Sequence, residues 1–357
     1  MEGPDSFAPL PPGATVGILG GGQLGRMLCL AAARLGLRTH VFAERADGPA
    51  GQVATHTTVG AFNDEAALER FAGAVDAITY EWENVPVAAA RLVGTGRRLA
   101  PNLTALRTAQ DRLLEKTFLS GLDGLRVAPF RETSQSVHDF QRAVQYVGLP
   151  CVVKTRRGGY DGKGQAILRS RKDVDDAWEA FGAHDLIVEG FVEFSRECSV
   201  IVVRGADGSV ATYPLTENVH RDHVLATSTA PASGDDGAAA AIATTVADAL
   251  GYVGVLGVEF FDTPAGWLVN EIAPRVHNSG HWTQDAGCVD QFENHIRAVA
   301  GWPLGDTTPR HGVRMTNLLG DEAGKWRELA ATRGRLHLYG KREARPGRKM
   351  GHVNERL

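Results

Sequence analysis

Cysteine is scarce. Cys29, Cys151, Cys198 and Cys288 are the only four in 357 residues, and no two stand at CxxC spacing. This excludes a disulfide-built scaffold and the common zinc and redox motifs, and predicts reduced, mostly buried thiols in a cytosolic protein. Long apolar runs are also missing. The longest are strand-length, so no signal peptide or spanning segment is read. Nor is there an excess of one charge: Lys plus Arg is 38 and Asp plus Glu is 42, a net of −4. Bulk nucleic-acid or membrane-surface binding is therefore not expected. What is present is an ordinary globular composition, 43% apolar and 22% charged, with length for two or three domains and a sizeable core. The first dozen residues, with Pro4, Pro9, Pro11 and Pro12, read as a loose leader.

The chain is organised around residues 253–282. Two apolar runs, Gly257 to Phe261 and Trp267 to Ile272, flank a Thr-Pro-Ala-Gly turn, which predicts a hairpin. Each run carries a carboxylate among apolar neighbours. Glu259 and Glu271 are symmetric about Ala265 and should face each other. Like charges in that position cost roughly 0.2–1 kcal/mol, more when buried. A divalent cation between them removes the conflict, and hard oxygen ligands with few protein contacts suit magnesium carrying nucleotide phosphates. The alternative is two solvated carboxylates, against which the apolar neighbours argue. Beyond the hairpin, Arg275, His277, Asn278, Ser279 and His281 crowd a Gly- and Pro-punctuated stretch suited to anionic groups.

Before the hairpin, residues 14–107 alternate strands and helices as a βαβ-type domain with a parallel sheet. Asn63 is placed as the cap of a helix over 64–72. Gly20, Gly22 and Gly25 form G-x-G-x-x-G between a strand and a helix, a turn that aims backbone N–H groups at an anion. Alone it suggests NAD, with Glu44 on the ribose. Glu81 ends a later strand, where ligands of open α/β sheets bind. Residues 108–150 read as a helical connection, in which Gln110 to Lys116 is a charged amphipathic helix with a solvated face. Lys154 ends a strand and leads into a Gly-rich flap, residues 156–165, able to fold its amides over phosphates. It lacks the GK[ST] ending of a Walker A loop. A strand opening into a loop follows at 186–192. Near the end, residues 345–352 form a basic stretch that is read, alone, as solvated.

Together these pieces resemble the ATP-grasp superfamily, in which ATP lies between two α+β subdomains and a carboxylate is activated as an acyl phosphate for attack by an amine. Within it, GGGQLGRM, YEWENVP, RRGGYDGKGQ, NEIAPRVHNSGHWTQ and RPGRKMGH are similar to the family of 5-(carboxyamino)imidazole ribonucleotide synthases, over about residues 14–354. The resemblance implies an α/β and α+β fold: an N-terminal Rossmann-like, pre-ATP-grasp domain over 14–107, an ATP-grasp region over 108–300 with its flap subdomain at about 140–205, and a small C-terminal subdomain over 301–357. It implies an ATP-dependent carbon–nitrogen ligase of purine (IMP) biosynthesis, cytoplasmic and homodimeric, using bicarbonate through carboxyphosphate.

The resemblance also assigns residues. Arg112 and Lys154 would contact ATP phosphates, with Gly159, Tyr160, Asp161, Gly162, Lys163, Gly164 and Gln165 closing over them. Glu189, Gly190, Phe191 and Val192 would meet the adenine, Glu197 the ribose, and His220 would lie near the nucleotide. Glu259 and Glu271 would bind magnesium, with Asn270 beside them. Arg275, His277 and Asn278 would hold bicarbonate and carboxyphosphate. Aminoimidazole ribonucleotide would meet Gln23, Leu24, Glu81, Tyr160 and Asp161, with Lys341, Arg348 and Lys349 on its phosphate, so that the glycine turn serves this substrate and not NAD. Lys163 stands where family members often carry Arg. Relatives commonly continue past the RPGRKMGH segment with a further helix and strand, so an apolar face of the last subdomain is expected to be partly uncovered. The rivals are another ATP-grasp carboxylate–amine ligase or an ATP-dependent glycinamide ribonucleotide transformylase, an NAD-dependent oxidoreductase, and a non-catalytic nucleotide-binding regulator.

Overall fold

The computed structural model describes residues 8–159, 163–234 and 237–357. β1 (Thr15–Leu19), β2 (Arg38–Ala43), β3 (His56–Val59), β4 (Ala77–Tyr80) and β5 (Arg98–Leu99) form one sheet in the order β3-β2-β1-β4-β5. Every pair in it is parallel, so each connection crosses over, with α1 (Gln23–Arg34), α2 (Glu65–Gly73) and α3 (Val87–Gly94) in the crossovers. Leu24, Met27, Leu28 and Ala31 lie on the buried face of α1, as their spacing requires. The cap of α2 is Asp64, not Asn63; its carboxylate accepts from the Ala67 N–H at 3.0 Å. Strand order reverses at β1, between β2 and β4, which puts the glycine turn and Glu81 together at the carboxyl ends of adjacent strands.

The described part of the leader is not loose. Leu10 donates its N–H to Ala300 O at 2.8 Å, and its carbonyl accepts from Trp302 Nε1 at 2.7 Å.

The connection over 108–150 is more than helical. After α4 (Leu103–Ala109) and α5 (Arg112–Ser120) comes a strand, β6 (Phe130–Thr133), and then α6 (Val137–Val147). β6 is the edge of a four-stranded antiparallel sheet, β6-β9-β7-β8, with β7 (Cys151–Thr155), β8 (Gln165–Leu168) and β9 (Leu186–Gly190). Its central Arg131 and Glu132 are exposed, so it shows no apolar alternation. Phe140, Val144 and, from α7 (Arg171–Phe181), Val174 and Ala177 cover this sheet.

The largest sheet takes β10 (Arg196–Arg204), β11 (Val210–Thr212), β12 (Thr216–Arg221), β13 (Val224–Ala230), β14 (Gly254–Thr263), β15 (Gly266–Ala273), β16 (Val313–Leu319), β17 (Arg335–Leu338) and β18 (Lys349–Arg356). The C-terminal strands therefore extend the sheet that carries the carboxylate hairpin, and do not form a separate one. α8 (Ala238–Ala249) covers one face, with Ala243 and Val246 against Val200 and Leu256. α9 (Gln291–Ala300) brings Phe292, Ile296 and Val299 into one core with Leu28 and Ala31 of α1. Each large side chain so buried stabilises by roughly 1.5–3 kcal/mol. Arg34 of α1 adds an ion pair with Asp290, the α9 cap, at 2.5 Å. This seam joins the N-terminal domain to the large sheet. Among the described residues no helix is long and apolar enough to cross a membrane.

Candidate active site

The hairpin turn is tight: Thr263 pairs with Gly266, leaving only Pro264 and Ala265 in the loop. From there the register runs Phe261↔Leu268 and Phe260↔Val269, but beyond Glu259 it becomes Val258↔Ile272. The simple symmetry of Glu259 with Glu271 is thus corrected. A β-bulge sets Asn270 and Glu271 together opposite the single residue Glu259. A bulge breaks the strict alternation of side chains, and Asn270, Glu271 and Glu259 all line one cavity of about 1110 Å³. Without the extra residue, Asn270 and Glu271 would point to opposite faces.

Around these carboxylates the chain supplies nitrogen-bearing side chains. Arg112 Nη1 donates to Glu271 Oε2 at 2.8 Å, and His277 Nε2 lies 3.1 Å from Glu259 Oε1. Arg112 opens α5, whose expected solvated face is in fact buried: Glu115 is 2% and Lys116 1% exposed. At i, i+3 and i+4, Arg112, Glu115 and Lys116 share a helix face, and that face meets β15. Glu115 Oε1 accepts from Ile272 N–H, and Lys116 Nζ donates to Asn270 O, both at 2.6 Å, on either side of Glu271. Burial and the Glu271 charge push the Glu115 carboxyl up; burial opposes ionisation of Glu271, and Arg112 more than offsets it. The helix is capped by Asp111, which accepts from Leu113 N–H and also holds Arg156 and Arg157 at the base of the flap.

Lys154 donates to Glu189 Oε2 at 2.9 Å, and Lys116 stands 3.4 Å from the same oxygen. Burial alone would raise the Glu189 carboxyl; Lys154 and Lys116 bring it down to about 2. Its other oxygen, Oε1, is buried without a partner, an acceptor left for a ligand donor. His220 Nδ1 lies 2.8 Å from Glu197 Oε2, and this carboxylate outweighs burial to raise the imidazole.

In the loop after the hairpin, the Arg275 guanidinium is not open. Its Nε and Nη2 donate to the two carboxylate oxygens of Glu83, and its Nη1 to Val276 O. His277 Nδ1 lies 2.9 Å from Ser279 Oγ, and Asn278 exchanges amide hydrogen bonds with Asn317 of β16. One buried side chain of α9 fixes the backbone here: Gln291 accepts from His277 N–H and donates to His277 O and toward His281 Nδ1. That contact leaves the His281 proton on Nε2, in the cavity lining.

At the other end of the cavity, the glycine turn already holds an anion. Glu81 Oε1 accepts from Gly22 N–H, and Oε2 from Gly25 N–H at 2.7 Å. Gly20 has φ +112°, and a Cβ there would lie 2.5 Å from Glu81 Cγ. The NAD reading is therefore overturned: the amides that would cradle a pyrophosphate are engaged by the chain's own carboxylate. Glu81 and Trp82 also border a second cavity of about 490 Å³, lined by Lys341, Arg345 and Arg348. The basic stretch near the end is thus no solvated tail. Gln52 Nε2 donates to Gly340 O at 2.8 Å and Arg342 pairs with Asp47 at 2.7 Å, which ties the segment leading into it to the N-terminal domain.

The large cavity gathers Gln23, Leu24, Glu81, Arg112, Lys154, Gly159, Gln165, Glu189, Gly190, Phe191, Val192, Glu197, His220, Glu259, Asn270, Glu271, Arg275, His277, Asn278 and Lys349. Lys341 and Arg348 line the neighbouring one. Lys163 and Gly164 line neither; Lys163 is exposed. Tyr160, Asp161 and Gly162 lie outside the described residues. Glu83, Asp111, Glu115, Lys116 and Gln291 were missed. Glu83 sits in the quoted YEWENVP motif, two residues after Glu81, which is the one signal that could have flagged it.

Residues 13–110 match the ribonucleotide synthetase preATP-grasp domain, 120–292 the ATP-grasp domain, and 314–355 the phosphoribosylaminoimidazole carboxylase C-terminal domain. The chain is 48% identical to N5-carboxyaminoimidazole ribonucleotide synthase of Brucella melitensis, with 96% of each chain covered. Among solved structures, the ADP complex of an N5-carboxyaminoimidazole ribonucleotide synthetase superposes with a TM-score of 0.94 at 41% identity, covering 98% of this chain and 94% of that one. The Aspergillus clavatus enzyme in complex with ADP and 5-aminoimidazole ribonucleotide gives 0.89 at 32%, covering 97% and 94%. An ATP-grasp fold with its pre-ATP-grasp and C-terminal domains, and near full-length relatives of one name, place the chain: it belongs to the N5-carboxyaminoimidazole ribonucleotide synthase family.

Proposed function

We propose that this ATP-dependent ligase of purine biosynthesis divides its reaction between the two cavities. ATP is the co-substrate, and the large cavity takes it with bicarbonate. Lys154 and Arg112 meet its phosphates; Glu189 Oε1 and the backbone near Val192 meet the adenine; Glu197 holds the ribose beside His220. Gly159 and Gln165 line the cavity beside the phosphates, and Tyr160 and Asp161 are assigned to the amine by the family resemblance. Glu259 and Glu271, with Asn270, are the oxygen donors for magnesium. When bound, this ion offsets charge on the transferring phosphoryl group.

Arg275, His277 and Asn278 hold bicarbonate so that one of its oxygens attacks the γ-phosphorus while ADP leaves. The resulting carboxyphosphate gives up its carboxyl carbon, directly or as carbon dioxide, to the amine of aminoimidazole ribonucleotide. Inorganic phosphate departs, and the amine loses a proton, for which Asp161 is the proposed acceptor. The ribonucleotide spans Gln23, Leu24 and Glu81, with its phosphate toward Lys341, Arg348 and Lys349. Free, dispersed cysteines support a reducing, cytoplasmic setting, and a homodimer is the assembly the family resemblance supports.

The observation that carries this assignment is the bulge, which turns Asn270 and Glu271 onto the side of Glu259, in one cavity with Lys154, Arg112 and Arg275. The test is phosphate release from ATP and bicarbonate, with and without aminoimidazole ribonucleotide. Release should rise with the ribonucleotide and match carboxylated product one for one. Release that ignores it, with no product, overturns the assignment.

A further inference from the structure

A guanidinium has five N–H donors in a plane. In Arg275, three are engaged: Nε and Nη2 by Glu83, the latter at 3.1 Å, and Nη1 by Val276 O at 3.2 Å. Five minus three leaves two, one on each terminal nitrogen. Donors on the two terminal nitrogens are what a planar carboxyl group accepts in bidentate fashion. Glu83 reaches Arg275 from 192 residues away in sequence, out of the loop after β4, and both line the large cavity. Glu259 and Glu271 also act on the Arg275 charge. Removing Glu83 would leave a cation whose remaining strong acceptors are those two carboxylates.

We propose that Glu83 is a positioning residue for the carboxylation. By filling one edge of the Arg275 guanidinium, it presents the remaining N–H pair to bicarbonate and carboxyphosphate and keeps the cation off Glu259 and Glu271. Glu83 itself touches no reacting atom. The two acidic residues of YEWENVP then have separate tasks: Glu81 is discharged on backbone N–H groups, Glu83 on a side chain that would otherwise quench the magnesium ligands. The argument rests on the assignment of Arg275 to bicarbonate.

The test compares Glu83→Gln with Arg275→Lys, varying bicarbonate, ATP and aminoimidazole ribonucleotide separately. Gln keeps the shape of Glu but sets an N–H against the guanidinium. The expected result is a bicarbonate KM raised tenfold or more in both variants, with the ATP KM of Glu83→Gln also raised, because the freed cation competes at Glu259 and Glu271, and its aminoimidazole ribonucleotide KM within twofold of wild type. If Arg275→Lys leaves the bicarbonate KM unchanged, the assignment of Arg275 fails, and Glu83 falls with it. If Arg275→Lys raises it and a folded Glu83→Gln does not, or raises all three KM values alike, only the role of Glu83 is overturned. Should Glu83→Gln not fold, Glu83→Asp carries the same test, because it keeps the charge but is one methylene too short for the two-point grip.

Discussion

Two glycine-rich turns follow strands in this molecule, one after β1 and one after β7. Both suggest an anion cradle in sequence. The first is filled from within, its amides bound to Glu81. The second is flanked by Lys154 and by Arg112, which also reaches Gly159 O at 3.5 Å, and it borders the 1110 Å³ cavity. The backbone pattern is therefore not what separates a ligand site from a structural joint. The charge beside the turn decides: a carboxylate at the end of β4 takes up the amides of the first turn, whereas the second stands beside Lys154 and Arg112, cations that line the large cavity and are held there by Glu189 and Glu271.

The sharpest way to break this contrast is to remove the cation of the open turn. Lys154→Met should lower kcat/KM for ATP by roughly 10²–10³-fold, the usual cost of one lost charge-stabilising donor. Its urea midpoint should change little, because Lys116 still stands 3.4 Å from Glu189. Equal losses in catalysis and stability would make Lys154 a structural ion-pair partner instead.

The second test uses pH. Glu189 is held at about 2 against an ordinary 4.5. A depressed carboxyl contributes stability that is complete above about pH 4.5 and fades as pH falls toward 2; the gap is worth roughly 3 kcal/mol. The difference in unfolding free energy between wild type and Glu189→Gln should thus narrow below about pH 4.5. Glu81 runs the other way: burial raises it in spite of the Gly22 and Gly25 N–H groups. Its ionised form weighs against the fold at neutral pH and is relieved on acidification, so Glu81→Gln should show no such narrowing.

The smallest effect belongs to the closed turn. In Gly22→Ala the new Cβ would sit 2.6 Å from Glu81 Oε1. Overpacking of this kind costs about 1–3 kcal/mol. A lowered Tm with an unchanged ATP KM is expected; a changed ATP KM would show that the two turns are coupled.

Much of this was legible in the sequence. Period and punctuation gave the parallel sheet, the hairpin and the flap strands, because each depends on neighbours within a few residues. The cavity-lining residues came from the resemblance of the motif runs to a known family, not from local pattern. What escaped depends on distant partners. Nothing local in Gln110 to Lys116 says that β15 will cover it, so a charged helix was read as solvated. The bulge arises because a two-residue turn and the outer pairs of the hairpin demand registers that differ by one, and only the pairing itself reveals that. Glu83 could not be matched to Arg275 without the fold that brings them together.

The Gln291 amide has a consequence for how this chain can be divided. It belongs to the helix that seals the N-terminal domain against the large sheet, and it also grips the main chain at His277 from both sides. A fragment cut before that helix would retain the strands around Lys154 and Glu271 and still lack the two hydrogen bonds that shape the loop after the hairpin. The loop that lines the large cavity and the seam between domains are thereby fastened by one side chain, and a half-molecule without that helix would leave the loop at His277 unheld.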